Sequence, residues 1–278
     1  MTSVPEIRIA DDVSIPQLGF GVYQVPPETT EAAVTMALEV GYRHVDTAQM
    51  YGNEQGVGDA LRASGLSRDE VFVTSKLNNS FHRRDDALRE AEKSVERLGG
   101  PMDLFLVHWP LPTIDVDYLE TWKAMIEIHD AGLTRAIGVS NFQVPHLDRI
   151  IAETGVKPAV NQIEVHPYLT NETVRAYNAE QGIATEAWSP IAQGAVLDDP
   201  AITAIAERLG RTTAQVTLRW HLQRNDIVFP KSVTRSRVEE NFQLFDFELT
   251  DADIQAITAL NKDERTGPDP DTFDYVPA

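Results

Sequence analysis

The chain has 278 residues, a formal net charge of −19 at pH 7 and no cysteine. Its length fits either two ordinary domains or one large α/β barrel. The strong negative charge argues against nucleic acid and anionic membrane surfaces as partners, because both require a basic face. Without cysteine the chain has no disulfide, no thiolate nucleophile and no cysteine-bound zinc.

The opening residues predict no signal peptide. The opening residues, MTSVPEIRIADD, lack the basic and apolar parts of a signal peptide. No apolar run approaches the ~18 residues that a membrane-spanning helix needs. The absence of cysteine also suits a reducing compartment. We therefore expect a soluble, cytoplasmic protein, and we expect it to be a monomer.

Short apolar segments rich in Val, Ile and Phe alternate with amphipathic helical patterns along the chain. Strands are predicted at residues 19–21, 44–48, 71–77, 103–108, 135–140, 159–165, 183–188 and 227–230. Helices are predicted at residues 29–40, 54–64, 84–98, 117–131, 145–154, 172–181, 200–209, 213–223, 235–242 and 251–261. Glycines follow many of the predicted helix ends, as is typical of helix termination.

This regular alternation, with most strands about 25 to 30 residues apart, predicts a closed (β/α)8 TIM barrel. A doubly wound sheet is the main alternative. Residues 6–9 and 14–18 predict a β-hairpin before the barrel, and the last helical pattern predicts an extra C-terminal helix. The polar tail after Lys262 is predicted to be a loop. No linker divides the chain, so we expect residues 1–278 to form a single domain.

Four residues able to take part in proton transfer follow three neighbouring predicted strands. Asp46 and Tyr51 follow the second strand, in DTAQMYGNE. Lys76 ends the third strand in VFVTSKLNN, and His108 ends the fourth in DLFLVHWP. In a barrel, the active site is built at the carboxyl ends of the strands and in the loops that follow them. We therefore expect these four side chains to converge.

Each of the four residues also has an ordinary structural explanation. Asp46 alone would cap a helix, Tyr51 would pack as an aromatic, and His108 would be a core imidazole. A lysine that closes an apolar strand is costly to bury unless it is paired, so even this explanation predicts an ion pair between Lys76 and Asp46. The four together at one end of adjacent strands favour a catalytic site. The sequence has no His-x-His or His-Glu-x-x-His pattern and predicts no metal site.

Together these groups suit the protonation of a developing alkoxide. A phenol has a pKa of ~10, and a cation ~4 Å away at an effective dielectric of ~20 contributes about 4 kcal/mol, or roughly three pKa units. Lys76 would thus bring the pKa of Tyr51 near neutrality, while Asp46 keeps the lysine charged and aimed. His108 could orient a carbonyl oxygen. The set predicts carbonyl reduction, which also needs a hydride donor.

A basic segment in this acidic chain could bind that donor. The stretch KSVTRSRVEEN places Lys231, Arg235 and Arg237 at the start of a predicted helix, where free N–H groups favour anions. A solvated basic turn is the alternative. The glycines match neither a dinucleotide-binding fingerprint nor a P-loop, and the Tyr-x-x-x-Lys pair of short-chain dehydrogenases is absent.

Six motifs point to a known family. The chain resembles the aldo-keto reductases over essentially its full length, through GYRHVDTAQMYGNE, VFVTSKL, DLFLVHWP, IGVSNF, NQIEVHP and FPKSVTRSRVEENFQLFDFELT. It is similar to the prokaryotic branch that includes 2,5-diketo-D-gluconate reductases. The resemblance implies an NADPH-dependent reductase in which Tyr51 donates the proton. It also implies that Lys76 and Asp46 tune that tyrosine and that His108 orients the carbonyl.

The resemblance further implies a cofactor site made of several groups. The nicotinamide end would be held by Ser140, Asn141, Gln162 and Trp188. The 2′-phosphate would be bound by Lys231, Ser232 and Arg237, and an arginine there favours NADPH over NADH. The adenine would be bound by Glu240 and Asn241. The remaining predicted cofactor residues are Gly21, Ser189 and Val233.

The resemblance places Tyr23, Trp109 and the tail around the substrate. Many relatives have Trp where this chain has Asn78, which predicts a wider and more polar pocket. The candidate substrates are small aldehydes, ketones and dicarbonyls, with keto-sugar acids such as 2,5-diketo-D-gluconate among them. The alternative function is an NADPH-binding regulatory or structural barrel without significant turnover.

Overall fold

A short antiparallel hairpin precedes the barrel. In the computed structural model, which describes residues 4–277, β1 (Glu6–Ala10) pairs with β2 (Val13–Pro16). The apolar side of this hairpin packs against Phe72 and Ile227, which are the first residues of two barrel strands. The hairpin therefore closes the amino-terminal end of the barrel, as predicted.

Eight parallel strands follow and pair in chain order. They are β3 (Phe20–Gly21), β4 (His44–Asp46), β5 (Phe72–Leu77), β6 (Met102–Val107), β7 (Thr134–Ser140), β8 (Val160–Glu164), β9 (Ala184–Trp188) and β10 (Ile227–Val228). A parallel bridge between Leu18 and Val228 joins the two edges of the sheet. Every residue of β5 and β6 is buried, since helices cover the outside and side chains fill the inside.

Within residues 4–277, ten α-helices surround the strands or follow the last of them. They are α1 (Pro27–Val40), α2 (Glu54–Ala63), α3 (Arg84–Leu98), α4 (Tyr118–Asp130), α5 (Val144–Thr154), α6 (Glu172–Gln181), α7 (Pro200–Leu209), α8 (Thr213–Gln223), α9 (Arg235–Phe242) and α10 (Asp251–Thr258). Capping side chains begin several of them, as Thr250 does by accepting from the Asp253 N–H. Within residues 4–277, no helix is both long and apolar enough to cross a lipid bilayer.

The predicted (β/α)8 TIM barrel, its hairpin and its extra C-terminal helix are confirmed. The bounds differ by a few residues, most clearly after β4, which leaves the sheet at Asp46 where the prediction extended it to residue 48. The chain leaves there because Gln49–Tyr51 form a single 3-10 turn ending at Gly52, whose φ is +68°. This turn positions the predicted tyrosine.

Candidate active site

The parallel strands bring their carboxyl ends to one rim of the barrel. β4 ends at Asp46, Lys76 is the penultimate residue of β5, and His108 directly follows β6. These three strands are neighbours in the sheet. The topology therefore places the predicted proton-transfer residues side by side, as the sequence indicated.

Lys76 is fully buried, and its ammonium group has an acceptor for each of its three protons. Its ammonium donates to both carboxylate oxygens of Asp46, at 2.7 and 2.9 Å, and to the Thr47 carbonyl at 2.9 Å. The Tyr51 hydroxyl lies 3.4 Å from the same nitrogen. A buried ammonium needs a counterion and partners for its three protons. The predicted ion pair between Lys76 and Asp46 is confirmed.

Electrostatics inside the barrel keep this lysine charged. Burial by itself lowers the pKa of Lys76, but the nearby Asp46 charge and the hydrogen bond to it outweigh that effect and raise the pKa above its usual value. Burial raises the pKa of the Asp46 carboxyl, and the charge of Lys76 opposes that rise.

The position of Tyr51 beside Lys76 is fixed by hydrogen bonds in the loop that follows β4. The Lys76 ammonium lies 5.0 Å from the centre of the Tyr51 ring. Asn53, which is fully buried, donates to the carbonyls of Val22 and Val25 and accepts from the Thr47 hydroxyl at 2.8 Å. These bonds tie the turn after β4 to the loop after β3, so the position of the phenol is fixed by the backbone on both sides.

The predicted titration of Tyr51 is wrong. Burial raises the pKa of Tyr51 to about 12, and the charge of Lys76 opposes this rise without overcoming it. The expectation of a value near neutrality ignored burial, which disfavours phenolate, and the Asp46 charge, which also raises the pKa. Tyr51 is therefore a protonated phenol throughout the physiological range, which suits a proton donor.

His108 faces the same tyrosine as a neutral imidazole. Its ring centre lies 5.8 Å from that of Tyr51 in an edge-to-face arrangement. Burial, with a contribution from the Lys76 charge, holds the pKa of His108 well below its usual value. Its Nδ1 is buried and has no hydrogen-bond partner among residues 4–277. A neutral imidazole carries one N–H donor and one acceptor, so it can hydrogen-bond a carbonyl oxygen.

The residues predicted to hold the nicotinamide form a second cluster beside this one. The Trp188 indole N–H donates to Asn141 Oδ1 at 2.8 Å, and the Asn141 amide donates to Ser140 Oγ at 3.1 Å. The Ser140 hydroxyl donates to the Gln162 carbonyl at 2.9 Å. Asn141 and Ser189 both adopt positive φ, +66° and +49°. The cluster is therefore a connected polar layer on the rim, adjacent to Asp46 through Gln162.

The predicted phosphate-binding residues lie around the start of α9, with Lys231 and Ser232 in the preceding loop and Arg237 in the first turn. Lys231 and Arg237 are exposed, and neither forms an ion pair within the described part of the chain. Arg235, by contrast, pairs with Glu39 at 2.8 Å and with Glu239 at 3.0 Å. Ser232 is buried and its hydroxyl accepts from the Thr234 N–H. Two cations of this segment are thus available to an anion and one is neutralised.

The remaining predicted cofactor residues differ in their surroundings. The Glu240 carboxylate accepts from the Thr212 hydroxyl at 2.8 Å, while Val233 is 53% exposed and Asn241 lies half-buried on α9. Gly21 ends β3, where a Cβ would lie 2.6 Å from the Phe229 carbonyl oxygen. Close packing of the barrel edges therefore requires a glycine at this position.

The residues predicted to line the substrate pocket surround the mouth of the site. Tyr23 is 59% exposed and its ring centre lies 5.1 Å from that of Tyr51. Trp109 is 8% exposed because Phe273 of the tail packs against it, with 4.3 Å between the two ring centres. Asn78 uses its side-chain oxygen to accept from the Ser80 N–H and so begins the next turn.

A family comparison agrees with this geometry. The family model described as the aldo/keto reductase family matches residues 17–262. The chain belongs to the aldo-keto reductase family. It is therefore an oxidoreductase, and the resemblance inferred from its motifs is confirmed.

Characterised and related proteins match this aldo-keto reductase along nearly its whole length. An aldo-keto reductase of Mycolicibacterium smegmatis is 50% identical over 273 residues, covering 98% of this chain and 99% of the relative. The methylglyoxal reductase DkgA of Escherichia coli K12 is 46% identical over 276 residues, with the same coverage. The match therefore spans nearly the full length of both sequences in each case.

Solved structures share the fold in detail. A point mutant of Gox0644 in complex with NADPH has a TM-score of 0.94 and 44% identity, and the match covers 99% of this chain and 100% of that one. A Bombyx mori aldo-keto reductase in complex with NADP has a TM-score of 0.92 and 35% identity, with 99% of each chain covered. Both neighbours hold a nicotinamide cofactor of the phosphorylated type.

The tail of this aldo-keto reductase folds over the rim. Glu164 accepts hydrogen bonds from the Thr266 N–H at 2.6 Å and hydroxyl at 2.5 Å. The next residue, Gly267, packs so closely against Trp188 that a Cβ at this position would clash with the indole. Further on, Asn79 donates to the Tyr275 carbonyl at 2.9 Å. The predicted loop is therefore anchored at several points beside the site.

Sequence reasoning missed several residues that hold the site together. Neither Asn53 nor Gln49, which accepts from the Asn78 N–H at 2.8 Å, was among the predicted site residues. Glu186 was also overlooked, although it is fully buried and bonded to Gln162 at 2.7 Å. Residues two apart on a strand lie on the same face of the sheet. Since Trp188 was predicted to face the site, the same alternation predicts that Glu186 also points into the barrel.

Other features of the described chain lie outside this site. A cavity of about 390 Å³ is lined by residues of the loops near α5 and α6 and of the tail, including Gln143, Asn171, Arg265 and Asp271. None of the predicted site residues lines it. Residues 4–277 contain no group of three or more His, Asp or Glu residues placed to hold a metal ion.

Proposed function

We propose that this protein reduces small aldehydes, ketones and dicarbonyls to alcohols with NADPH, as a single barrel domain. One observation carries the proposal. The phenol of Tyr51, the buried Lys76–Asp46 pair and the neutral imidazole of His108 converge at one opening of the barrel. The family membership and the NADPH and NADP complexes of the structural neighbours support the choice of cofactor.

The residues on the rim fit that cofactor. Lys231 and Arg237 are exposed cations without an ion pair in the described chain, at the start of a helix, and such a site suits a phosphate. We assign the 2′-phosphate to these two residues with Ser232. We assign the adenine to Glu240 and Asn241, with Val233 beside them.

The nicotinamide end fits the polar layer between β7 and β9. We assign the carboxamide to Ser140, Asn141 and Gln162, since the Asn141 amide donates to the Ser140 hydroxyl and that hydroxyl donates to the Gln162 backbone carbonyl. We assign the ring to Trp188, whose indole is oriented by its bond to Asn141. Gly21 and Ser189 lie at the same rim and complete the proposed cofactor set. NADPH, when bound, supplies the hydride.

The proton is supplied by the chain itself. Tyr51 is protonated throughout the physiological range, so it can donate its proton to the oxygen of a carbonyl as that oxygen becomes an alkoxide. The Lys76 cation beside it stabilises the phenolate that remains, and Asp46 holds the lysine in place. Neutral His108 donates a hydrogen bond that orients the same oxygen.

The substrate would enter between Tyr23, Asn78 and Trp109. Tyr23 is exposed and its ring lies tilted against that of Tyr51, and the family resemblance places the small amide of Asn78 where many relatives have an indole. Both features favour small polar carbonyl compounds. Relatives named methylglyoxal reductase support dicarbonyls as substrates, and 2,5-diketo-D-gluconate is a further candidate from the same branch.

Turnover with methylglyoxal tests the proposal. NADPH oxidation is followed by absorbance with methylglyoxal, simple aldehydes, ketones and 2,5-diketo-D-gluconate. We expect turnover with the wild type and its loss, with NADPH affinity retained, in Tyr51→Phe. Tight NADPH binding without turnover across the panel would instead identify a cofactor-binding module. Strong residual activity in Tyr51→Phe would contradict the assignment of the proton donor.

We also propose that the protein is a cytoplasmic monomer. The absence of cysteine suits a reducing compartment. A proton-transfer site built entirely within one chain needs no partner subunit. Sedimentation velocity at micromolar concentration measures the oligomeric state, and a species of about 31 kDa is expected from the 30.9 kDa chain.

A further inference from the structure

Glu186 is a buried carboxyl that the proposed mechanism does not use. It lies in the middle of β9, directly opposite Gln162 on β8, and it is inaccessible to solvent. The Gln162 amide nitrogen donates to Glu186 Oε2 at 2.7 Å and to Asp46 Oδ2 at 2.9 Å. Glu186 is therefore joined through one amide to the Asp46–Lys76 pair.

These two bonds fix the orientation of the amide. A glutamine amide has two N–H donors and one carbonyl acceptor. Both donors of Gln162 point at carboxyl oxygens, and a flipped amide would place its own oxygen against Asp46 and Glu186. The Gln162 Oε1 therefore points away from both acids. It accepts no hydrogen bond from residues 4–277 and, unlike Asn161 Oδ1, it is not completely buried, so it is free to accept a hydrogen bond from a ligand at the rim.

One acid would not be sufficient for this orientation. Both oxygens of Asp46 already accept hydrogen bonds from Lys76, so the oxygen that accepts from the Gln162 amide is shared with the lysine. Rotation about the last side-chain torsion of a glutamine is soft. A second acceptor on the opposite side, at 2.7 Å, removes that freedom. Glu186 is the group that provides it.

We propose that Glu186 is a positioning residue, which with Asp46 holds the Gln162 amide so that its carbonyl oxygen accepts a hydrogen bond from the nicotinamide carboxamide. The proposal rests on the proposed function, since it assumes that NADPH binds at this rim. Burial and the neighbouring Asp46 charge raise the pKa of Glu186 to about 8. A neutral carboxyl still accepts through its carbonyl oxygen and adds no second charge beside Asp46.

The test compares three ligands. NADPH has the carboxamide N–H, its reduced 3-acetylpyridine analogue lacks that N–H, and adenosine 2′,5′-bisphosphate lacks the nicotinamide altogether. Dissociation constants are measured by calorimetry or fluorescence for the wild type and for Glu186→Met, which removes the acceptor but keeps the length of the side chain. Glu186→Gln retains an acceptor toward Gln162. The matched control is Thr185→Val on the same strand, which breaks a buried 3.0 Å hydrogen bond donated by Asn178 of α6.

We expect Glu186→Met to weaken NADPH about tenfold, as expected for loss of one hydrogen bond, and to leave the bisphosphate unchanged. The preference of the protein for NADPH over the acetylpyridine analogue should shrink by the same factor. Glu186→Gln and Thr185→Val should match the wild type with all three ligands. Adding Glu186→Met to Gln162→Leu should have no further effect, because the positioned group is already gone.

Equal loss of NADPH and bisphosphate in Glu186→Met would show a general structural effect and overturn the proposal. Unchanged NADPH binding in that variant would also overturn it. If Glu186→Met does not fold, Glu186→Asp, which withdraws the carboxyl by one methylene, should show the same selective loss, and wild-type behaviour there would contradict us. If the wild type itself does not bind NADPH, the proposed function fails and the positioning role fails with it.

Discussion

The Lys76 ammonium lies 2.7 Å from the Asp46 carboxylate in a part of the barrel that solvent does not reach. Such a pair is costly to form, since both ions lose their hydration, and it persists because each partner compensates the other. Here the pair also carries the contacts to Tyr51 and Gln162. Stability and the proposed chemistry therefore depend on the same two residues.

Removing one member of this pair should destabilise the fold strongly. Asp46→Asn leaves the Lys76 charge buried without a counterion, so we expect a loss of about 3–5 kcal/mol in the free energy of unfolding. Replacing both charges, as Asp46→Leu with Lys76→Met, should recover much of that loss. Urea unfolding at pH 7 measures all three proteins.

The control for that experiment is an exposed ion pair. Asp59 lies 2.5 Å from Arg62 on the surface of α2. Asp59→Asn should leave the urea midpoint unchanged within error, because exposed pairs contribute little. An Asp46→Asn protein with the wild-type midpoint would contradict the view that Lys76 depends on this carboxylate.

Glu186 should make the stability depend on pH. Its pKa is raised from 4.5 to about 8 by burial and by Asp46, so folding favours its protonated form. Below about pH 4.5 the carboxyl is protonated in both the folded and the unfolded protein, so it causes no loss of stability there. Between about pH 4.5 and 8 the unfolded state ionises first and stability falls, by at most about 4–5 kcal/mol. Above about pH 8 the loss levels off.

Glu186→Gln isolates this contribution. The variant cannot ionise, so its stability relative to the wild type should rise through the same pH range and then stay constant. Urea unfolding of both proteins at intervals from pH 4 to pH 9 measures the difference, in which the other titrating groups cancel. A difference that does not change with pH would show that Glu186 is ionised in the folded protein at neutral pH.

The high pKa of Tyr51 predicts an asymmetry between the two directions of the reaction. Reduction needs the protonated phenol, which is abundant below a pKa of about 12, so Tyr51 should add no alkaline limb to kcat/KM below about pH 10. Alcohol oxidation needs the phenolate and should accelerate with rising pH. The measurement is kcat/KM in both directions from pH 6 to pH 10.

The Glu186→Gln protein serves as the reference for that profile. An inflection near pH 8 that vanishes in the variant belongs to Glu186, whose pKa lies there. An alkaline loss of reduction below about pH 9 that persists in the variant would be incompatible with the protonation state assigned to Tyr51.

Neighbouring arginines on α9 offer a matched pair for the cofactor. Arg237 has no ion pair among residues 4–277, whereas Arg235 is paired with Glu39 and Glu239. Arg237→Ala should weaken NADPH about 10- to 100-fold and NADH little, since a charge-assisted bond to phosphate is lost. Arg235→Ala should change neither ligand appreciably. Equal losses of NADPH and NADH in Arg237→Ala would contradict the phosphate assignment.

The sequence predicted those parts of the site that follow from a local pattern. A lysine at the end of an apolar strand needs a counterion, and this requirement predicts from the sequence alone that Lys76 pairs with Asp46. The pKa of Tyr51 was mispredicted because its sign depends on burial, which no spacing encodes. The pairing of Arg235 with Glu39 joins residues 196 positions apart, and only the folded chain brings them together.

Glu186 was missed for a related reason. The predicted proton-transfer residues lie at strand ends and in the loops that follow, whereas Glu186 lies two residues before the end of β9. The alternation of a strand places it on the inner face with Trp188, but its partner Gln162 belongs to another strand. Pairing register between strands is a property of the closed barrel, so the bond between these residues could be found only there.

The anchor between Glu164 and the tail should control access to the site. Glu164 accepts from the Thr266 backbone and hydroxyl, and this contact holds Gly267 against Trp188. Glu164→Ala removes the acceptor and should release this part of the tail. Because the proton-transfer residues are untouched, we expect KM for a carbonyl substrate to rise severalfold with a smaller change in kcat. Steady-state kinetics with methylglyoxal measures both.

Amide hydrogen exchange gives an independent readout of the same change. The Thr266 N–H is bonded to Glu164 over 2.6 Å, so its protection should fall in Glu164→Ala while amides of the barrel strands keep theirs. Thr266→Val is the matched control, because it removes the hydroxyl bond and keeps the backbone bond; it should show a weaker effect on KM. Unchanged protection at Thr266 in Glu164→Ala would mean that the tail is held by its other contacts, such as the packing of Phe273 on Trp109.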